Sequence, residues 1–237
     1  MSIETSGANG VRILSTNLLR NVAGATLMGW NIQDVVEAVN HCLMGVSING
    51  ATTNRAVIAT TTTTSMRSRV RALDADAESV TTQAASLAAG VRQHFAIVFD
   101  ATNDDVYHYK NGVLQGSAAD VATTPGNTSD TSSDRTELGR QPGGSQGWDG
   151  TFEDLRVYHE ILSAARIRSI YEADGRDGDI QGLHARWPLD EAAPGTTASG
   201  AGNAKDHSAN KYDGEALSSP VYRASFACAG FSRRRVH

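Results

Sequence analysis

Oxygen-bearing side chains gather at two places in the sequence. Asp206, Asn210 and Asp213 fall in one loop, which reads Asp206-His-Ser-Ala-Asn210 and then Asp213-Gly214. Hard oxygens so grouped suit calcium, which takes roughly six to eight oxygen ligands. The same residues suit an Asx-turn that only shapes the loop. Asp100, Asn103 and Asp104 form a second group open to the same two readings.

Other chemistry fails on spacing. A retaining glycosidase needs two carboxylates about 5–5.5 Å apart. Glu153 and Asp154 are adjacent, and neighbours on a strand point to opposite faces; Glu160 lies past the strand end. The run Gly143-Gly-Ser-Gln-Gly147 matches the nucleophile-elbow pattern. An elbow needs a helix straight after the Ser, and a strand signal follows here, so the run reads as a loop. Without a helix N-terminus it also makes no phosphate cradle. His41, His94, His108, His159, His184, His207 and His237 are scattered, with no local metal spacing. Cys42 and Cys228 read as two free, buried thiols of a reducing compartment, with a disulfide as the lesser alternative.

Charge narrows the partners. The 237 residues carry a formal net charge of −5, which argues against nucleic acid, whose phosphates need a concentrated positive field. The basic cluster Arg233-Arg234-Arg235 is a solvated tail or a docking point for an acidic surface of a capsid or neighbouring subunit. The start, Met1-Ser-Ile-Glu-Thr-Ser-Gly7, has no basic n-region and no apolar h-region, so no signal peptide is expected. No apolar run approaches the ~20 residues of a membrane span. Assembly in a cytoplasm is the expectation, with no membrane partner.

The elements that must position these residues are mostly strands. Val11 to Leu14 and Ala25 to Trp30 are apolar runs separated by the loop signal Asn21 to Gly24. In 32–41, Ile32, Val35, Val36 and Val39 fit a helical stripe, while the β-branched content also fits a strand or irregular loop. Leu43 to Ile48, then Asn49-Gly50, predicts a hairpin with a type I′ turn. Its return run, Arg55 to Met66, includes Thr60 to Thr64 and reads as a half-exposed strand. Ser68 to Leu73 and Glu78 to Gln83 flank an acidic turn at Asp74-Ala-Asp76. His94 to Asp100, Val106 to Lys110 and Val113 to Gln115 form a meander turning at Asn111-Gly112. Residues 116–135 read as a long polar loop and Glu137 to Arg140 as a short strand. On the strand after Trp148, alternation places Phe152, Asp154, Arg156 and Tyr158 on one side and Glu153, Leu155 and Val157 on the other. Ser163 caps a helix through Ala173, with Ile167, Ile170 and Tyr171 facing a sheet. Leu183 to Asp190 reads as a strand, and Val221 to Phe231 as one or two closing strands.

Several of these stretches resemble the laminin G-like / concanavalin A-like lectin-glucanase superfamily. His94-Phe-Ala-Ile-Val-Phe-Asp100 and Tyr109-Lys-Asn-Gly-Val-Leu114 match its apolar strand, tyrosine strand and hairpin. Glu137-Leu-Gly-Arg140, Trp148-Asp-Gly-Thr-Phe-Glu-Asp-Leu-Arg-Val-Tyr158, Leu162-Ser-Ala-Ala-Arg-Ile167 and Tyr171 match its closing segment, and Ala25 to Trp30 an early strand. The resemblance implies an all-β, two-sheet antiparallel jelly-roll β-sandwich with one short helix near residues 163–173. It departs from the family in order. The usual opening, a Trp-Pro-Leu-Asp-Glu strand and an Asp-x-Ser-x-Asn turn, stands here at Trp187 to Glu191 and Asp206 to Gly214. Residues 1–182 are thus expected to form the sandwich. Residues 183–237 are too few for a second one. They either complete the first by circular permutation or pair with a neighbouring subunit.

Three functions follow as expectations. The first is a structural, non-enzymatic bacteriophage protein: a capsid decoration protein or other virion surface protein, homo-oligomeric and bound to capsid proteins. It takes support from the lack of a catalytic set and a terminal strand suited to clamping a neighbour. The second is a lectin module, with or without calcium, in which Trp148 stacks a sugar beside Asp149, Asn103 and Asp104; core packing is the alternative role of Trp148. The third, a glycoside hydrolase, is disfavoured by the carboxylate geometry. No catalytic residue and no cofactor other than calcium is expected.

Overall fold

The computed structural model describes residues 2–7, 9–37, 39–49, 53–61, 64–118 and 124–224. Two antiparallel sheets of eight strands each form a sandwich. The first sheet contains β1 (Ser2–Thr5), β3 (Gly24–Gln33), β8 (Gln93–Asp100), β9 (Asp105–Lys110), β10 (Val113–Ala118), β12 (Gly150–Tyr158), β13 (Leu183–Trp187) and β16 (Val221–Arg223). Its order is β10-β9-β8-β3-β12-β1-β16, with β13 beside β12. The second contains β2 (Gly10–Thr16), β4 (His41–Asn49), β5 (Thr53–Thr61), β6 (Ser65–Val70), β7 (Ser79–Ala84), β11 (Ser133–Leu138), β14 (Gly200–Ala204) and β15 (Gly214–Leu217). Its order is β14-β15-β2-β11-β4-β5-β6-β7.

Alternation builds the core. Ile3, Leu27, Phe95, Ile97 and Phe152 from the first sheet meet Val11, Ile13, Met44, Val46, Ile58 and Leu138 from the second, all essentially inaccessible to water. Each such side chain contributes about 1.5–3 kcal/mol over leaving it exposed. Residues 183–224 supply strands to both sheets. Leu155↔Trp187 and Val157↔Ala185 join β13 to β12, Ile3↔Tyr222 joins β16 to β1, and Ala216↔Val11 joins β15 to β2.

On β12 the expected alternation breaks. The register with β3 shifts between Glu153 and Arg156, and Asp154 takes φ 50°. This is a β-bulge, which re-aims the residues after it. Phe152, Leu155 and Val157 all enter the core, while Tyr158 joins the outer cluster. The sequence alternation had split Phe152 from Leu155 because it allowed no extra residue.

Two further readings bear on the strands. Sequence leaves the segment 32–41 open between helix, strand and irregular loop; among its described residues 34–40 there is no helix, and Val35 and Val39 are 46% and 50% exposed. The threonine run is not one strand. Thr60 and Thr61 end β5, and Thr61 pairs with Ser65 at the start of β6. Propensity favours extended backbone at each Thr without saying where the chain reverses. Thr62 and Thr63 lie outside the described residues, as do Gly50 and the tail that holds Cys228, Phe231, Arg233, Arg234, Arg235 and His237. Cys42 is a free, fully buried thiol whose pKa burial raises.

Helix α1 (Ala164–Ala173) lies on the outer face of the first sheet. The Ser163 Oγ accepts the Arg166 N–H at 3.3 Å, capping the first turn. Ile167 and Ile170 pack with Met28, Ala96, Val98 and Tyr158. Asp174 ends the helix in the left-handed region, φ 55°.

Candidate functional site

The residues expected to bind a sugar do not meet. Trp148 is fully buried, its ring 6.4 Å from Phe95 and 6.5 Å from His41. Its indole N–H donates to the Ile32 carbonyl at 3.2 Å. It is a core residue with no face for a ligand, which corrects the stacking expectation. Asp149 is half-buried beside Gly150, at the Gln33 end of β3. Asn103 and Asp104 lie by Asp100, at the Gly24 end. Ten residues of strand separate the two groups, roughly 30 Å at about 3.3 Å per residue. Asn103 donates from its backbone and its side-chain amide to Asp100, at 3.0 and 2.8 Å, and so closes the β8–β9 turn.

In the loop expected to hold calcium or to form an Asx-turn, Asp206 makes the hydrogen bonds of a turn. Asp206 is 1% exposed. One oxygen accepts the backbone N–H groups of Arg186 and Ser208 at 2.9 and 2.8 Å. The other accepts the Ser208 hydroxyl at 2.7 Å and the Tyr212 N–H at 2.9 Å. Asp213 accepts the Asp206 N–H at 2.8 Å, and the Asn210 amide donates to the His184 carbonyl at 2.8 Å. Both Asp206 oxygens are thus engaged by the loop and its neighbouring strand. Asp190, Glu191 and His207 bring ligand atoms within 4.8 Å of one another, and Glu191 also accepts the Lys205 N–H at 2.6 Å. Burial raises the Glu191 pKa, and Asp190 adds to the rise.

The expected nucleophile-elbow run behaves as a turn. Gln141 bridges to Ser145, and β12 rather than a helix follows.

Polar and aromatic groups converge instead on the outer face of the first sheet. Glu153, Trp30 and His94 are directly opposite one another across β12, β3 and β8. Tyr171, from the last turn of α1, stacks on Trp30 at 5.2 Å and 29°. His94 lies 5.0 Å from Trp30. Arg92, just before β8, sets its guanidinium 3.5 Å from the Trp30 ring centroid, a cation–π contact. Its Nε and Nη2 donate to Glu153 at 3.1 and 2.8 Å, and its Nη1 donates to Asp174. Trp30, Arg92, Tyr171, Glu172 and Asp174 line a cleft of about 320 Å³.

This cleft holds unmet hydrogen-bonding capacity. The Trp30 indole N–H has no partner among the described residues, and Trp30 is 5% exposed. Beside it, Glu153 Oε2 and His94 Nδ1 are also unpartnered and buried. Burial, then the charge of Arg156, pushes the His94 pKa down to about 3, so the ring stays neutral. Behind the cleft, buried Arg156 bridges Asp154 and Asp177 at 2.5 and 2.7 Å, and Arg186 reaches Asp154 at 2.7 Å. That network holds the floor still. Trp30 is covered by Arg92 and Tyr171, so the partly exposed Tyr171 and the carboxylates of Glu172 and Asp174 are what the cleft offers a ligand.

The family profile described as the concanavalin A-like lectin/glucanases superfamily, a laminin G type, matches residues 5–168. The chain belongs to that superfamily.

Its fold recurs in solved structures. A putatively named carbohydrate binding protein from Bacteroides ovatus superposes with a TM-score of 0.63 at 14% identity, covering 92% of this chain and 60% of that one. A heptameric SAP-like pentraxin from Limulus polyphemus gives 0.56 at 15% identity, over 72% and 81%. The CBM40 module of the Ruminococcus gnavus IT-sialidase, bound to α2,3 sialyllactose, gives 0.51 at 16%, over 72% and 98%. No curated protein matches the chain. Among the described residues, no helix is long and apolar enough to cross a membrane.

In this superfamily member, sequence reasoning missed Trp30, Arg92 and Tyr171 as a group. Each stood in a recognised element, and nothing local joined them.

Proposed function

We propose that the chain is a non-enzymatic carbohydrate-binding module that takes a sugar in the Trp30–Arg92–Tyr171 cleft. The observation that carries this reading is the partly exposed Tyr171, held by stacking on Trp30, beside the Glu172 and Asp174 carboxylates of the cleft. Aromatic rings take the apolar face of a sugar, and the polar groups fix its hydroxyls. Arg92 holds Glu153 and Asp174 in ion pairs, which fixes them as parts of the cleft's frame. The putatively named carbohydrate binding protein of this fold lends support. A glycan array with the whole chain tests the reading. A saturable ligand is expected, with binding weakened about tenfold or more in Tyr171→Ala. A folded chain that binds no glycan overturns it.

A second reading keeps the virion surface or capsid decoration role, with assembly in a host cytoplasm. It draws on β14, an edge strand reading Gly-Ala-Gly-Asn-Ala, with no charge or proline to block pairing with another subunit. Light scattering and co-sedimentation with capsids test it; a monomer that ignores capsids overturns it.

A further inference from the structure

We propose that the Trp30–Tyr171 cleft selects uncharged sugars and rejects those that carry a carboxylate. The inference rests on the carbohydrate-binding reading and adds the charge class of the ligand.

Arg92 is the cation on the cleft wall, and it is already engaged on both sides. Nε and Nη2 donate to one oxygen of Glu153, and Nη1 donates to Asp174. The Glu153 side chain is 5% exposed. Glu172 adds a third carboxylate to the wall. Its partner Arg168, and Arg176 beside Asp174, are 67% and 64% exposed, where water and salt weaken their fields. His94 is buried against Trp30 and stays neutral, so it adds no positive charge.

A ligand carboxylate therefore has two routes, both unfavourable. It can approach Glu172 and Asp174, where the only nearby cations among the described residues are Arg92, Arg168 and Arg176, each already paired with a carboxylate. Or it can strip Arg92 from Glu153, which leaves a buried anion unpaired. A neutral sugar avoids both. Its hydroxyls donate to the Glu172 and Asp174 carboxylates that line the cleft, without displacing Arg92. Rejection through like charge is a common source of specificity.

The test is titration calorimetry with matched glycan pairs, neutral and sialylated, such as lactose and 3′-sialyllactose, at low salt on the full chain. The neutral member is expected to bind at least about tenfold more tightly, as like-charge juxtaposition dictates. Asp174→Asn, which keeps a residue tolerant of the left-handed backbone and frees one arm of Arg92, is expected to narrow that gap about threefold or more. Equal or tighter binding of the sialylated member overturns the charge selection and leaves the binding reading standing. A gap unchanged in Asp174→Asn overturns its assignment to Arg92. Failure of every glycan to bind a chain with a cooperative melt overturns the binding reading itself.

Discussion

A Cβ on Gly29 would stand 2.0 Å from Cδ2 of Leu155. The missing side chain on β3 is the space into which the bulged β12 drives Leu155. Gly29→Ala is therefore expected to overpack the sheet and to lower stability by about 1–3 kcal/mol. A urea denaturation midpoint equal to the parent's would show that β12 can relax without cost.

Arg156 is 1% exposed and joins Asp154 to Asp177. Arg156→Ala strips Asp177 of its ion pair and leaves Asp154 with Arg186 alone, and a loss of about 3–5 kcal/mol is expected. Arg156→Lys recovers little, since an ammonium cannot make the paired bonds of a guanidinium. Chemical denaturation of the two variants checks both statements.

Acid sensitivity follows from buried histidines. Burial pushes His94 and His159 down to about 3 and His108 to about 4. Unfolded, each titrates near 6.5. As pH falls below about 6.5, the unfolded chain takes up protons that the folded chain refuses. Stability is thus complete above that pH and falls toward pH 4, by at most about 1.4 kcal/mol per pH unit for each proton. His108→Gln removes one such proton and flattens the slope. Melts from pH 4 to 8 measure it.

Asp206→Ala leaves the N–H groups of Arg186, Ser208 and Tyr212 without their acceptor. A loss of about 2–4 kcal/mol is expected. Millimolar calcium leaves the parent melt unchanged, because the carboxylate is already filled. A calcium-induced rise in melting temperature that Asp206→Ala abolishes would reverse that assignment.

Strand positions were legible wherever alternation and Asn-Gly turns acted locally, as from His94 to Leu114. Ser163 marked its helix because a cap acts over three residues. The bulge at Asp154 was not legible, since its space comes from Gly29 on another strand. Trp148 stood open between core and sugar for a related reason. Whether a tryptophan is covered depends on Phe95 and His41, distant in sequence. The cleft depends on three elements meeting, and no spacing along the chain encodes that.

The pairing of β1 with β16 sets Ser2 opposite Arg223. The first and last strands of the described chain thus meet antiparallel, side by side. A force pulling Ser2 and Arg223 apart loads their hydrogen bonds one after another rather than all together. The sandwich opens like a zipper, β16 peeling away first, and its mechanical resistance along that axis is set by single bonds instead of by its core.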